Sequence, residues 1–207
     1  MSLFTTADIQ ALLSKYKAEG YEPFNAAAYA AKYLQGNSEE QNAFPTPLEH
    51  YLKLGAARGY NPLGDTGPLF FDAEFYAAKY PALAQSGVTD AGDLFGHFLK
   101  FGVAEGRQAS AYTNNFDAAR YLKDYPEIAA YVNQHLGDFN GSAANGALAH
   151  FMKFGQAQGF LAFDTNGVAF TKSGFPLTQA ITFNNGVLDL DTNEGNTTLT
   201  AAAAPVV

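Results

Sequence analysis

Three stretches of this chain carry one pattern in the same order, and that recurrence limits the fold more than any other feature. Aligned on a histidine, they read His50-Tyr51-Leu52-Lys53-Leu54-Gly55, His97-Phe98-Leu99-Lys100-Phe101-Gly102 and His150-Phe151-Met152-Lys153-Phe154-Gly155. Each runs on to an alanine (Ala57, Ala104, Ala157) and a second glycine (Gly59, Gly106, Gly159). Upstream lies a second shared block: Phe24-Asn25-Ala26 to Tyr29 and Tyr33, Phe71-Asp72-Ala73 to Tyr76 and Tyr80, Phe116-Asp117-Ala118 to Tyr121 and Tyr125. Self-similarity at this period marks stacked supersecondary units, each unable to bury its apolar face alone. It also turns the functional reading towards scaffolding or binding, because catalysis rarely needs one motif three times.

Each copy reads as a helical hairpin. Asn25, Asp72 and Asp117 are N-cap residues, whose side chains accept a bond from an unpaired amide of the first turn. The phenylalanine before each cap and the tyrosine five residues later have the spacing of a hydrophobic staple. The second tyrosine falls four residues on, along the same face. Pro81 and Pro126 end the first helix in two copies and start a short extra turn. In the first copy Thr46-Pro47-Leu48-Glu49 opens the histidine helix with an N-cap, a proline at N1 and a capping-box glutamate. Leu48, Tyr51, Leu52 and Gly55 share one face; His50, Leu54 and Ala57 share another, so the helix is expected to lie between two neighbours. The first glycine permits close helix approach and the second suits a left-handed cap. The histidine spacing grows from 47 to 53 residues, with the extra length around Leu136–Ser142. A lead helix over 5–19, capped by Thr5 or Thr6 and ended by Gly20, precedes the first copy.

After about residue 163 the pattern changes. Thr178–Phe183, Asn184-Asn185-Gly186 and Val187–Asp191 read as a β-hairpin, with Thr197–Thr200 a third strand. The expected fold is therefore mainly α. Stacked helical-hairpin repeats in three copies (about 24–62, 71–108 and 116–160) fill 1–163, and a short β-rich C-terminal segment covers 164–207. The chain stops without a clear fold boundary, which suggests the start of a further β-rich region.

Composition narrows the partners. Twelve Lys and Arg against twenty Asp and Glu give a net charge of −8. Without a basic block, nucleic acid and anionic lipid are poor partners. No cysteine is present, so disulfides and thiolate chemistry play no part. The N-terminus lacks the basic and apolar regions of a Sec signal, and no stretch has the length for membrane insertion.

The repeat resembles a module of bacterial secreted and surface proteins, also found beside some glycosyltransferases. Its form there is roughly Phe-Asp-x-x-x-Tyr-Leu-x-x-x-Pro-Asp, then Pro-Leu-x-His-Tyr-x-x-x-Gly-x-x-Glu-Gly-Arg. Phe71–Tyr76, Gly102–Arg107 and Pro47-Leu48-Glu49-His50-Tyr51 carry the resemblance, while the third copy departs from it, ending Gly155-Gln156-Ala157-Gln158-Gly159-Phe160. The resemblance implies an S-layer, RTX-like or adhesin-type protein exported by type I secretion to the cell surface. There a helical N-terminal module would anchor to cell-envelope polysaccharide or lipopolysaccharide, or to sister subunits in a homo-oligomer or lattice.

Few residues stand out as sites. The aligned histidines have no His or carboxylate at i+4, so each is expected to bridge two helices with its nitrogens satisfied on backbone; His135 is expected on the surface. Lys53, Lys100 and Lys153 either line a groove for an anionic glycan or neutralise a helix C-terminus, and the second reading is favoured. Tyr60, Tyr112 and Phe139, in the variable turns, are the aromatics expected to be exposed for stacking on sugars. Asp189, Asp191 and Asn193 resemble the start of a calcium loop, but the glycine is one place late and Thr200 replaces the closing glutamate. Calcium there would need ligands from elsewhere. Asp164-Thr165-Asn166-Gly167 reads as a plain turn. No nucleophile elbow, P-loop, dinucleotide fingerprint or carboxylate pair is present. The sequence reads as a non-enzymatic surface protein; the alternatives are an accessory helical domain of a secreted enzyme and a self-assembly module without a glycan ligand.

Overall fold

The computed structural model describes residues 2–170, 182–184, 187–190 and 197–200. Helix α1 (Thr6–Ala18) is capped by Thr5, which exchanges bonds with Asp8 in a capping box, and Gly20 leaves it at φ +86°. Then come α2 (Ala26–Tyr33), α3 (Ser38–Ala43) and α4 (Pro47–His50), the last running into a π-helical turn, Tyr51–Gly55. The next group is α5 (Ala73–Lys79), α6 (Ala82–Gln85), α7 (Ala91–His97), a π turn at Phe98–Gly102 and α8 (Val103–Glu105). After α9 (Ala111–Asn114) come α10 (Ala118–Asp124), α11 (Pro126–Gln134), a 3-10 turn (Leu136–Phe139), α12 (Ala143–His150), a π turn at Phe151–Gly155 and α13 (Gln156–Gln158). The fold is mainly helical. Two-residue strands β1 (Ala162–Phe163) and β2 (Ala169–Phe170) pair across the Asp164–Gly167 turn, and β3 (Thr182–Asn184), β4 (Val187–Leu190) and β5 (Thr197–Thr200) pair antiparallel in that order. Among the described residues no helix is long and apolar enough to cross a membrane.

The local chemistry of the three blocks is the same. Asn25, Asp72 and Asp117 accept the amides of Ala28, Phe75 and Arg120 at α2, α5 and α10. The staples close with ring centroids 5.5 Å apart for Phe24–Tyr29, 5.6 Å for Phe71–Tyr76 and 5.4 Å for Phe116–Tyr121. The capping residues' own amides reach the end of each block: Asn25 to the Pro62 carbonyl, Asp72 to that of Ala109, Asp117 to that of Phe163. Each block is thereby tied shut by one backbone bond. In the first block Thr46 caps α4 through the Glu49 amide, but the Glu49 Oε2 is buried without a partner, so the reciprocal half of the expected capping box is not made.

The histidine helices end in an i→i+5 bond: the amides of Ala56, Val103 and Gln156 reach the carbonyls of Tyr51, Phe98 and Phe151. Such a π bulge inserts a residue and turns the helix out of phase. The expected second apolar face fails for that reason. Leu48, Tyr51, Phe95, Phe98, Leu99, Leu148, Phe151 and Met152 are buried as expected, whereas Phe101 and Phe154, four residues after their histidines, are each 40% exposed. The second glycines, Gly59, Gly106 and Gly159, close the helices at φ +69°, +68° and +77°. The next amide reaches back to the first glycine's carbonyl, as from Tyr60 to Gly55 at 2.9 Å, in the manner of a Schellman cap.

Neighbouring blocks meet through rings and small residues. The Tyr51 ring packs edge-on against Phe95 at 5.0 Å. A Cβ on Gly92 would lie 2.7 Å from the Leu52 carbonyl oxygen, and one on Gly106 would overlap that of Asn145. The Tyr16 hydroxyl of α1 donates to the Leu99 carbonyl at 2.7 Å. Ser2–Phe4 cover α7 by converging on the buried Asp93 carboxylate: the Ser2 hydroxyl at 2.6 Å and the Leu3 and Phe4 amides at 2.9 and 3.1 Å. Burial opposes ionisation there, but these donors outweigh it and hold the Asp93 pKa below the ordinary carboxylate value.

The first glycine of each block lies against the hydroxyl of that block's staple tyrosine. A Cβ at Gly102 would lie 2.7 Å from the Tyr76 Oη and 2.8 Å from the Phe98 ring. Gly102→Ala is therefore expected to destabilise the protein by about 1–3 kcal/mol, the usual cost of overpacking. Gly137→Ala, where nothing lies within 4 Å, is expected to be near neutral. Urea denaturation of the two variants checks the contrast.

Candidate ligand-binding groove beside the third histidine

The repeated histidines are not an open site. The Tyr29 hydroxyl and His50 Nδ1 lie 2.8 Å apart, Tyr76 and His97 3.0 Å, Tyr121 and His150 2.9 Å. The expectation that backbone satisfies these rings is corrected: the partner is the staple tyrosine of the same block. A tyrosine on the block's first helix reaches across because the glycine at the end of the π turn leaves room for its hydroxyl. His50 has a second bond, its Nε2–H donating to Glu40 Oε2 at 2.9 Å, with Arg58 on the other carboxylate oxygen at 2.8 Å. In the tautomer with the proton on Nε2, Nδ1 accepts from the Tyr29 hydroxyl. The three rings stand in separate blocks. Among the described residues no group of three or more His, Cys, Asp or Glu is placed to hold a metal ion.

The second tyrosine of each block clamps the block's exit. Tyr33 Oη accepts the Asn61 amide at 3.0 Å, Tyr125 Oη that of Leu161 at 2.8 Å, and the Gln108 backbone bonds the Tyr80 hydroxyl. The residue after the second glycine covers the same ring in three chemistries. Tyr60 stacks on Tyr33 at 4.1 Å, the Arg107 guanidinium sits 4.8 Å from the Tyr80 centroid, and Phe160 meets Tyr125 at 4.7 Å. Tyr60 is thus half-buried on Tyr33 rather than a free platform, and Arg107 and Phe160, each directly after a left-handed glycine, make the matching contacts.

Two other expected platforms are also corrected. Tyr112 is half-buried, edge-on to Phe70 at 5.2 Å. Phe139 is in the core, 8% exposed. The extra residues of the third block fold back through the 3-10 turn, with Asn140 and Gly141 at positive φ, and press Phe139 against Gly146. Burying that ring offsets the entropy of ordering the insertion. The lysines lie in the last turn of the π-helical segments, six residues before the helix-ending glycines. Lys53 is exposed, Lys100 lies over Phe4 and Phe101, and Lys153 is 5.1 Å from the Phe154 centroid. Asp189 lies in β4; Asp191 and Asn193 of the expected calcium loop lie outside the described residues, so calcium stays an expectation.

One expected lysine and one expected aromatic do come together. A groove of about 290 Å³ opens between α11, the 3-10 turn and the third π turn. Asp138, Phe139, Gly146, His150 and Lys153 line it, together with Ala104 of the preceding block. The exposed rings of Phe154 (40%) and Tyr131 (53%) line the same groove. Tyr131 is held by stacking on His135 at 4.2 Å, whose Nδ1 bonds the Tyr131 carbonyl. Two apolar rings beside an ammonium and a carboxylate suit a ligand with an apolar face and a hydroxylated edge. Phe154 and Tyr131 were missed from the sequence because the bulge that exposes Phe154 has no signature in a 3.6-residue period.

Comparison with protein-family models, curated proteins and solved structures finds no match to this chain.

Burial lowers the pKa of both His97 and His150 below the ordinary histidine value; Arg107 adds to the effect at His97, and nearby glutamates oppose it. The folded state therefore resists a proton that the unfolded chain accepts. The stability this contributes is complete above the unfolded pKa of about 6.5 and is lost as pH falls towards the depressed folded values. Urea midpoints are expected to fall between pH 7 and pH 5, with a flatter profile in a variant carrying His97→Gln and His150→Gln.

Proposed function

We propose that this chain is a non-enzymatic structural module of a bacterial cell surface, of S-layer or adhesin type, which anchors to cell-envelope polysaccharide or lipopolysaccharide. In this reading the three blocks are stacked helical-hairpin repeats, and the segment from 164 opens a β-rich region. Type I secretion carries the protein outside, and a lattice of sister subunits is the setting in which the anchor operates. The sequence pattern supports the assignment. So does the use of the repeated Tyr–His pairs and glycines for internal packing.

The observation that carries the proposal is the groove lined by Tyr131, Phe154, Lys153 and Asp138. It combines ring faces with charged hydrogen-bonding groups, the chemistry that holds a glycan, and it exists because the third block alone has the Leu136–Ser142 insertion.

The test is retention of the chain by purified envelope polysaccharide and lipopolysaccharide. Phe154→Ala and Tyr131→Ala, at exposed rings, are each expected to weaken retention about tenfold, equivalent to roughly 1.4 kcal/mol, with unfolding unchanged. Failure to bind any envelope fraction, together with a purely cytoplasmic location, would overturn the proposal. A hydrolase motif in a longer reading frame would favour the accessory-domain reading instead.

A further inference from the structure

Two asparagines of the chain, Asn140 and Asn196, are followed two places on by Ser or Thr with no proline between; no other asparagine is. That is the acceptor pattern for a sugar attached to an asparagine amide. Both also have an acid two places ahead: Asp138-Phe139-Asn140-Gly141-Ser142 and Glu194-Gly195-Asn196-Thr197-Thr198. Asp and Glu make up 20 of the 207 residues, so composition alone rarely puts an acid there twice. Asn196 lies outside the described residues. Asn140 has a geometry that can be weighed.

Asn140 stands in the insertion of the third block. Phe139 pins that segment to the core, while its neighbours on either side, Asp138 and Asn140, are exposed. The Asn140 backbone is left-handed, at φ 55° and ψ 35°, and Gly141 follows at φ +74°. A Cβ on Gly137 or Gly141 would meet nothing within 4 Å. The turn therefore has open space before and after the acceptor, which a bulky substituent requires. Asn140 Nδ2 donates to Glu105 Oε2 at 3.2 Å in an exposed contact. A carboxamide nitrogen carries two hydrogens, so that bond survives replacement of the other. The Ser142 hydroxyl accepts the Asn145 amide at 3.2 Å as the N-cap of α12, which leaves its own proton to donate.

These groups fit what the chemistry demands. An amide nitrogen is a poor nucleophile because its lone pair is delocalised into the carbonyl, so a transferase must hold the acceptor closely. A hydroxyl two places on offers it a hydrogen bond, and a carboxylate two places ahead offers a charge-assisted one to its cationic side chains.

We infer that Asn140 is a covalent glycosylation site, modified by a transferase that uses a sugar-diphosphate donor. The Asn140 Nδ2 forms a bond to the anomeric carbon, and the bond from that carbon to the diphosphate oxygen breaks. The amide proton passes to a base of the transferase, and the diphosphate leaves with the bonding pair. A nucleotide-linked and a lipid-linked donor share this chemistry. The site needs no ligand in the groove beside His150.

Mass spectrometry of the chain recovered from the cells that make it tests the inference. Trypsin leaves Asn140 on a peptide spanning 124–153, where no other acceptor pattern occurs. That peptide is expected to carry a sugar mass. The mass is expected to vanish in Asn140→Gly, which keeps the left-handed turn, and to remain in Ser142→Thr, which keeps the hydroxyl. An asparagine present only for the turn would leave the peptide bare in all three chains. A single added hexose identifies the nucleotide-linked donor, and a preassembled oligosaccharide the lipid-linked one. A bare wild-type peptide, or a sugar that persists in Asn140→Gly, overturns the inference. A glycosylated chain that purified envelope fails to retain would keep the site and remove the anchor; a bare chain that is retained would do the opposite.

Discussion

The helical body depends on one close contact made three times: a tyrosine hydroxyl against a histidine nitrogen, in space that only a glycine leaves open. The hydroxyl arrives from the first helix of a block, held by an N-cap and a staple at its base. The histidine is on the third helix, and the π bulge after it brings the glycine to the point of contact. Each part is conditional on the others. Without the bulge the glycine would not face the hydroxyl, and without the glycine the two helices would be held apart. The buried phenol and imidazole would then lose their partners, which costs more than a surface hydrogen bond contributes. The same glycine's carbonyl takes the closing bond of the helix end, so the contact and the cap are one device.

From that contact the rest of the body follows. The second tyrosine, one turn on from the first, meets the exit of the block and is covered by the residue after the cap, which is tyrosine, arginine or phenylalanine in turn. One backbone bond then ties entry to exit. Because each block is closed internally, neighbours need only shape to pack, supplied by Tyr51 against Phe95 and by Gly92 and Gly106 at backbone crossings.

Much of this was legible in the residues. The caps at Asn25, Asp72 and Asp117, the staples and the left-handed glycines follow from local rules, because each involves groups fewer than six residues apart. Illegible were the contacts that need two distant segments in register. Nothing in His97 tells that its nitrogen meets Tyr76 rather than a carbonyl, although the constant Tyr-to-Gly pairing was a clue. Phe139 was misjudged because an insertion is expected to be polar and exposed, and this one folds its ring into the core. Tyr60 was misjudged because its equivalents, Arg107 and Phe160, differ in chemistry while sharing one contact.

What the sequence determined alone was the grammar: a mainly helical chain, three blocks opened by the same caps and closed by the same glycines, with no thiol chemistry and little to attract a polyanion. Periodicity and capping are local, and local interactions can be read along the chain. What the tertiary structure decided was which side chains are left over. The π bulges changed the phase of the histidine helices, exposing Phe154 and bringing the glycines to the tyrosine–histidine pairs. Packing also left the Tyr21 hydroxyl and the Gln156 Nε2 buried without partners. Exposure and orphaned polarity are properties of packed surfaces, and no window along a single strand of sequence contains both sides of such a surface.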